Sequence, residues 1–292
     1  MAKRKNADVR FAFFGTSDFV IPALEALGAH GFTPALIVTA PDRPRGRGME
    51  VSPSPVKQWA QERGIDTLTP ETLKDEGVAD ELRNTDWDVF IVASYGKILP
   101  RAILDIPRHG CLNIHPSLLP LLRGASPFVS AILQDQRETG VTVMLMAEKM
   151  DAGPILAQAR MAIDEEDWPP PSRVLSDMLF TEGGNLLSEV IPAWLAGELE
   201  ATPQDESLAT YTRKHTKEDA QLDLDGDARA NFLKIRAFDV NPRAYFIDER
   251  GKRIIVTDAE WKDGSLAITR VIPEGKKEML YKDYLQSIAK TN

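Results

Sequence analysis

The chain has 292 residues, enough for one large or two ordinary domains with a sizeable core. Its 43% hydrophobic and 27% charged residues fit a soluble globular protein, and the single cysteine, Cys111, excludes a disulfide framework or a zinc cluster. A net charge of −9 argues against indiscriminate nucleic-acid binding.

The start, MAKRKNADVR, is basic but no apolar h-region follows it, and no apolar run approaches a membrane span, so a cytoplasmic protein is expected. Residues 9–14 read as an apolar strand closed by a Gly15-Thr16 turn. Residues 18–30 carry Phe19, Ile21, Leu24 and Leu27 at helical spacing. A strand follows at 35–39, then a long loop, APDRPRGRGMEVSPSP, over 40–55. Helices are predicted over 56–63, stopped by Gly64, and over 73–83. A strand at 88–94 and a short turn or helix at 102–106 lead to the strand 111–114. That strand should end at Pro116, which has no N–H for a ladder.

A helix is predicted over 126–134 and strands over 141–146 and 155–162, with turn composition at Met150-Asp151-Ala152-Gly153-Pro154. After the stiff Trp168-Pro169-Pro170-Pro171, Ser172 can cap a helix to about residue 196. Alternating strands and helices imply parallel βαβ units with helices on both sheet faces. The polar stretch 197–212, with Pro203, reads as a linker. Beyond it come a short helix at 230–237 and strands at 244–248, 253–258 and 265–271, separated by glycine-containing turns, which suggests a small β-barrel. The expected architecture is α/β: a Rossmann-like, mostly parallel sheet over 1–196, a linker over 197–212, and an OB-like β-barrel over 213–292. The last part is mildly basic, and the negative excess lies before it.

The chemistry-bearing stretch is Asn113-Ile114-His115-Pro116. Strand side chains alternate, so Asn113 and His115 share one face while Leu112 and Ile114 take the other. They sit at a strand's carboxyl end, where open α/β sheets hold ligands. An amide can donate to a developing oxyanion, and a neutral imidazole can take a proton. Taken alone, the pattern equally describes a strand-end histidine satisfying one hydrogen bond. Asp151 can approach that imidazole if the strand 141–146 neighbours the strand 111–114; alone, its Asp-Ala-Gly is simply a turn. The Gly15 turn lacks the second and third glycines of a dinucleotide fingerprint, which disfavours a nicotinamide or flavin enzyme, and Arg45-Gly46-Arg47-Gly48 is not a P-loop. Arg43, Arg45, Arg47 and Lys57 form either a solvated connection or an anion-contacting loop.

Six segments occur in order: FFGTSDF at 13–19, APDRPRGRG at 40–48, SPVKQWA at 54–60, ASYGKILP at 93–100, GCLNIHPSLLPLLRGASP at 110–127 and ETGVTVMLMAEKMDAGPIL at 138–156. Together they resemble the folate-dependent formyltransferase family. YTRKHTKEDAQLD at 211–223 and IRAF with AYF within 235–246 resemble the tRNA-contacting domain of its tRNA-acting members. The resemblance implies the formyltransferase fold, 10-formyltetrahydrofolate as donor, no metal, and the α-amine of initiator methionyl-tRNA as acceptor, in a monomer. It implies Asn113, His115 and Asp151 as the catalytic set. Asn113 and a protonated His115 would donate to the oxyanion, and Asp151 would accept the amine's proton directly or through water. Ser117, Leu118, Leu119 and Pro120 match the folate contact, with backbone groups on the pterin edge and leucines on its face. Tyr95, Gly96 and Ile98 belong to the other wall. Arg43, Arg45 and Arg47, with Lys57, match the segment that approaches the tRNA acceptor arm. Leu121-Leu122 replace a more common basic–aromatic pair, Asn241-Pro242-Arg243 a Trp-Pro-Gly turn, and Ser17 a frequent Pro. The alternatives are a formyltransferase acting on an amino sugar or nucleotide, and a catalytically silent folate- or RNA-binding protein.

Overall fold

The computed structural model describes residues 5–45 and 50–289. The chain forms two compact units whose segments interleave. The first takes Met1–Arg123, Gly140–Met161 and Ser176–Tyr211; the second takes Gly124–Thr139, Ala162–Leu175 and Thr212–Asn292.

In chain order the main strands are β1 Phe11–Phe14, β2 Leu36–Val38, β3 Thr67–Leu68, β4 Val89–Val92, β5 Cys111–His115, β6 Glu138–Leu145, β7 Ile155–Ala162, β8 Tyr245–Ile247, β9 Arg253–Lys262, β10 Ser265–Pro273 and β11 Met279–Leu280. The helices are α1 Ile21–Ala29, α2 Pro55–Glu62, α3 Glu76–Arg83, α4 Arg101–Leu104, α5 Pro127–Leu133, α6 Ser172–Leu195, α7 Ala228–Ala237 and α8 Tyr281–Ala289.

The first unit is built on a seven-stranded sheet ordered β7-β6-β5-β4-β1-β2-β3. Strands β3, β2, β1, β4 and β5 pair in parallel, and β6 runs antiparallel to β5. Parallel strands covered on both faces must be apolar throughout, which is why β1 reads FAFF and β4 reads VFIV, all buried. From β1 the chain steps outward to β2 and β3, then returns to β4 and β5 on the other side. Such a reversal opens a crevice at the strands' carboxyl ends.

On one face, Ala12, Phe14, Phe90, Val92 and Cys111 pack with Ala79 and Leu82 of α3 and Ile103 of α4. Burying each large apolar side chain contributes about 1.5–3 kcal/mol. Burial pushes the Cys111 thiol up to about 12, so it is a core residue rather than a nucleophile. On the other face α6 approaches almost to backbone contact. A Cβ at Gly183 would lie 2.6 Å from Ile114 Cγ2, and one at Gly184 would lie 2.5 Å from the Ala23 carbonyl of α1. A mid-helix glycine costs about 1 kcal/mol in propensity, and here that loss permits the close packing.

Three expectations are refined. The loop 40–55 contains an antiparallel pair, Arg43–Arg45 with Glu50–Ser52. Helix α3 begins at Glu76, because the Asp75 side chain accepts the Gly77 N–H at 2.9 Å and caps it there. The stretch 197–212 is not a free linker: Thr202 exchanges two 2.8 Å hydrogen bonds with Ile155, and Gln204 and Glu206 hold Arg123. Its polar composition satisfies a buried cation, whereas composition alone suggested solvation.

In the second unit, β8, β9, β10 and β11 form an antiparallel sheet in sequence order, with an irregularity between Val256 and Ala259. The expected OB-like barrel takes the form of this four-stranded sheet among the described residues. Asp135 accepts from Trp168 Nε1 at 2.7 Å and from Arg229 Nη2 at 2.8 Å, tying together the three chain segments that make up the unit. No helix among the described residues is long and apolar enough to cross a membrane.

Candidate active site

Asn113 sits opposite Val92 of β4 and Met144 of β6, and His115 opposite Thr142. The strand ends at His115, where Pro116 removes a donor. Asn113 and His115 therefore project from one face at the carboxyl end of β5, and are 8% and 4% exposed. Paired residues on antiparallel strands share a face, so Met144 and Thr142 belong to the same wall.

His115 Nε2 lies 3.1 Å from the Leu122 carbonyl oxygen. A carbonyl only accepts, so this nitrogen carries hydrogen and Nδ1 of the neutral ring presents a lone pair. Nδ1 lies 3.7 Å from Asp151 Oδ2, an ion-pair distance with room to tighten. Burial pushes the imidazole below its ordinary range; Asp151 and the Leu122 bond oppose that shift, and Arg123 adds to it. Burial therefore favours the neutral ring, whose Nδ1 lone pair faces the Asp151 carboxylate. The folded chain also binds fewer protons here than the unfolded chain. This contribution to stability is complete above about pH 6.5 and is lost progressively as pH falls below it.

Asp151 arrives by an indirect route. Strand β6 runs away from His115, so Leu145 faces Leu112, three residues back along β5. The turn after β6 must fold back across the sheet face to bring the carboxylate to the imidazole. Asp151 takes φ +51, a region that costs an L-residue about 1–2 kcal/mol and that Asp tolerates better than most. Replacing it by Asn removes the carboxylate that raises the His115 pKa. In Asp151→Asn the imidazole should titrate at a lower pH than in wild type, read by NMR of labelled histidine; an unchanged or higher value contradicts the pairing.

The Ser117–Pro120 loop is braced from within. Thr142 Oγ1 donates to the Ser117 carbonyl at 2.7 Å and accepts from Leu119 N–H at 3.1 Å. Gln158 Nε2 donates to the Leu119 carbonyl at 2.8 Å and to Thr142 Oγ1 at 2.9 Å. The Leu118 carbonyl accepts from Leu121 N–H, and the Pro120 carbonyl from Thr210 N–H. Much of the backbone expected to read a pterin edge is therefore committed inside the protein, and the loop stands as a rigid wall. Leu118 rests over Gly140, where a Cβ would lie 2.6 Å from its Cδ2. Leu122, part of the Leu121-Leu122 departure from the family pattern, is buried at φ +58 and supplies the carbonyl that holds His115.

The loop after β4 begins beside Asn113, since Val92 pairs with it. Gly96 uses φ +78 and Ile98 is 87% exposed, whereas the Tyr95 ring turns into the core, edge-on to Phe14 with centroids 5.5 Å apart. Burial raises the Tyr95 phenol to about 12. Arg43 is exposed, 3.8 Å from Glu71. Arg45 shares its strand, and Arg47 lies outside the described residues. Lys57 Nζ is held by both oxygens of Asp42, at 2.8 and 2.9 Å, so it is already neutralised. No group of three or more His, Cys, Asp or Glu among the described residues could hold a metal ion.

Sequence reasoning did not single out Thr142, Gln158, Arg123 or Gln204. Thr142 was findable in principle, as the residue that an antiparallel register places opposite His115. The others are polar residues whose partners lie far away in sequence.

The family model for formyl transferases matches residues 9–191. The chain is 47% identical over 239 residues to a methionyl-tRNA formyltransferase of Chloroflexus aggregans, covering 81% of this chain and 76% of that protein. It is 39% identical over 303 residues to that of Methylococcus capsulatus, covering 96% and 97%. Its fold is shared by HypX from Aquifex aeolicus, solved with tetrahydrofolic acid, at a TM-score of 0.63 and 16% identity, covering 97% of this chain and 47% of that one. A match across most of the catalytic sheet, with relatives this similar over most of their length, has one reading: the chain belongs to the formyl transferase family.

Proposed function

We propose that the chain transfers a formyl group from 10-formyltetrahydrofolate to the α-amine of initiator methionyl-tRNA. The observation that carries this reading is the similarity to methionyl-tRNA formyltransferases over 96% of the chain, which takes in the C-terminal sheet. The braced Ser117–Pro120 wall, Leu118 over Gly140 and the exposed Ile98 suit the face of a flat heteroaromatic donor ring at the carboxyl end of β5.

In the proposed mechanism, His115 takes the proton of the attacking amine at Nδ1 as the new C–N bond forms. Asn113 donates its side-chain N–H to the formyl oxygen as that atom takes up the electron pair of the C=O bond. Asp151 stabilises the imidazolium that results. His115 then returns the proton to the leaving nitrogen as the old C–N bond breaks, leaving formylated methionyl-tRNA and tetrahydrofolate. General-base assistance of this kind contributes roughly 10²–10⁴-fold.

Arg43 is proposed to contact the acceptor end of the tRNA. Arg43→Ala should weaken methionyl-tRNA binding and reduce its salt slope by about one, leaving donor affinity unchanged. Filter binding at several salt concentrations, with separate titration of the folate, checks this. Equal loss of both affinities contradicts it.

A further inference from the structure

Arg123 is a cation with no exposed side-chain surface. Its Nε and Nη2 both donate to Gln204 Oε1, at 3.1 and 2.7 Å; Nη2 also reaches Glu206 at 2.9 Å, and Nη1 reaches Tyr211 Oη at 3.3 Å. The fork fixes which end of the Gln204 amide faces the guanidinium. The other end, Nε2, donates to the carbonyls of Asp151 at 2.8 Å and Gly153 at 2.7 Å, and lies 3.8 Å from Met144 Sδ. Flipping the amide would set N–H groups against N–H groups and oxygen against two carbonyl oxygens, losing all four bonds.

We propose that Gln204 is a positioning residue for formyl transfer: it clamps the Asp151–Gly153 turn to the buried Arg123, and so sets the approach of the Asp151 carboxylate to His115 Nδ1. Two features support this. Asp151 holds a left-handed φ that needs outside support, and Gln204 bonds the carbonyls on both sides of Ala152. Arg123 also follows Leu122, whose carbonyl holds His115 Nε2, so one corner of the chain bears on both ring nitrogens. Gln204 lies beyond residues 9–191, outside the matched family region. The inference rests on the roles proposed for His115 and Asp151.

The test uses the full chain with Gln204→Met, which is neutral and similar in length but cannot donate, and with Tyr211→Phe as a control that removes one partner of Arg123 and leaves the Gln204 bonds to the turn in place. In Gln204→Met, kcat should fall about ten- to a hundredfold, the loss expected when a reacting group is displaced by an ångström, with both KM values within about twofold. The charged groups facing His115 are Asp151 and Arg123. As Asp151 withdraws, His115 should titrate lower by NMR. Tyr211→Phe should leave kcat and the His115 titration near wild type even if its Tm falls. An unchanged His115 titration in Gln204→Met, kcat within about twofold of wild type, or equal kcat losses in both variants would overturn the inference. The titration needs no acceptor, so it still decides the point if wild-type chain fails to formylate methionyl-tRNA, a failure that would instead sink the proposed function.

Discussion

His115→Ala should slow formyl transfer by at least about a hundredfold, the lower bound for losing a positioned general base. Nε2 is committed to the Leu122 carbonyl, so Nδ1, the lone pair directed toward Asp151, is the only ring atom able to take the amine's proton. Alanine also leaves the Leu122 carbonyl without its donor, which costs about 1–3 kcal/mol in stability. His115→Gln separates the two effects, because its amide can donate to Leu122 yet supplies no base at neutral pH. Both variants should bind the donor and methionyl-tRNA and turn over slowly. Near-wild-type turnover in His115→Gln would remove the imidazole from the mechanism. Asn113→Ala should behave similarly through the loss of an oxyanion donor, worth about 2.7–4 kcal/mol.

The second large effect is on stability. In Gly153→Ala the new Cβ would fall 1.8 Å from the Leu145 carbonyl oxygen, 2.9 Å from its carbon and 3.4 Å from Ala147 N. All three are backbone atoms, so no side-chain rotation relieves the clash. Either the turn leaves β6 or the Leu145 end of the strand bends. Unfolding in urea should show a loss of about 3 kcal/mol or more, at the upper end of overpacking costs. Turnover should fall further than stability alone requires, because the same displacement moves Asp151. A loss below about 1 kcal/mol would mean that the turn sits farther from β6 than described.

These two sites also mark what the sequence made legible. The apolar runs at β1, β4 and β5 announced a buried parallel sheet, and strand alternation alone put Asn113 and His115 on one face. Whether Asp151 reaches them depended on a strand direction and on a turn folding back, and neither leaves a local signature. Gln204 and Arg123 were hidden for a related reason. A buried arginine looks like a surface arginine in sequence, and the polar stretch satisfying it looks like a linker. The bracing of the Ser117–Pro120 loop by Thr142 and Gln158 likewise depends on register between distant strands. Proline and arginine concealed the antiparallel pairing at Arg43–Arg45, since both are common in solvated loops.

The central claim is tested most directly by following labelled formyl from 10-formyltetrahydrofolate in the presence of methionyl-tRNA, uncharged tRNA or free methionine. The account predicts label on methionyl-tRNA alone, in an acid-stable N-formyl group released with methionine when the ester is hydrolysed. Equal transfer to free methionine, or no transfer to charged tRNA, would contradict it.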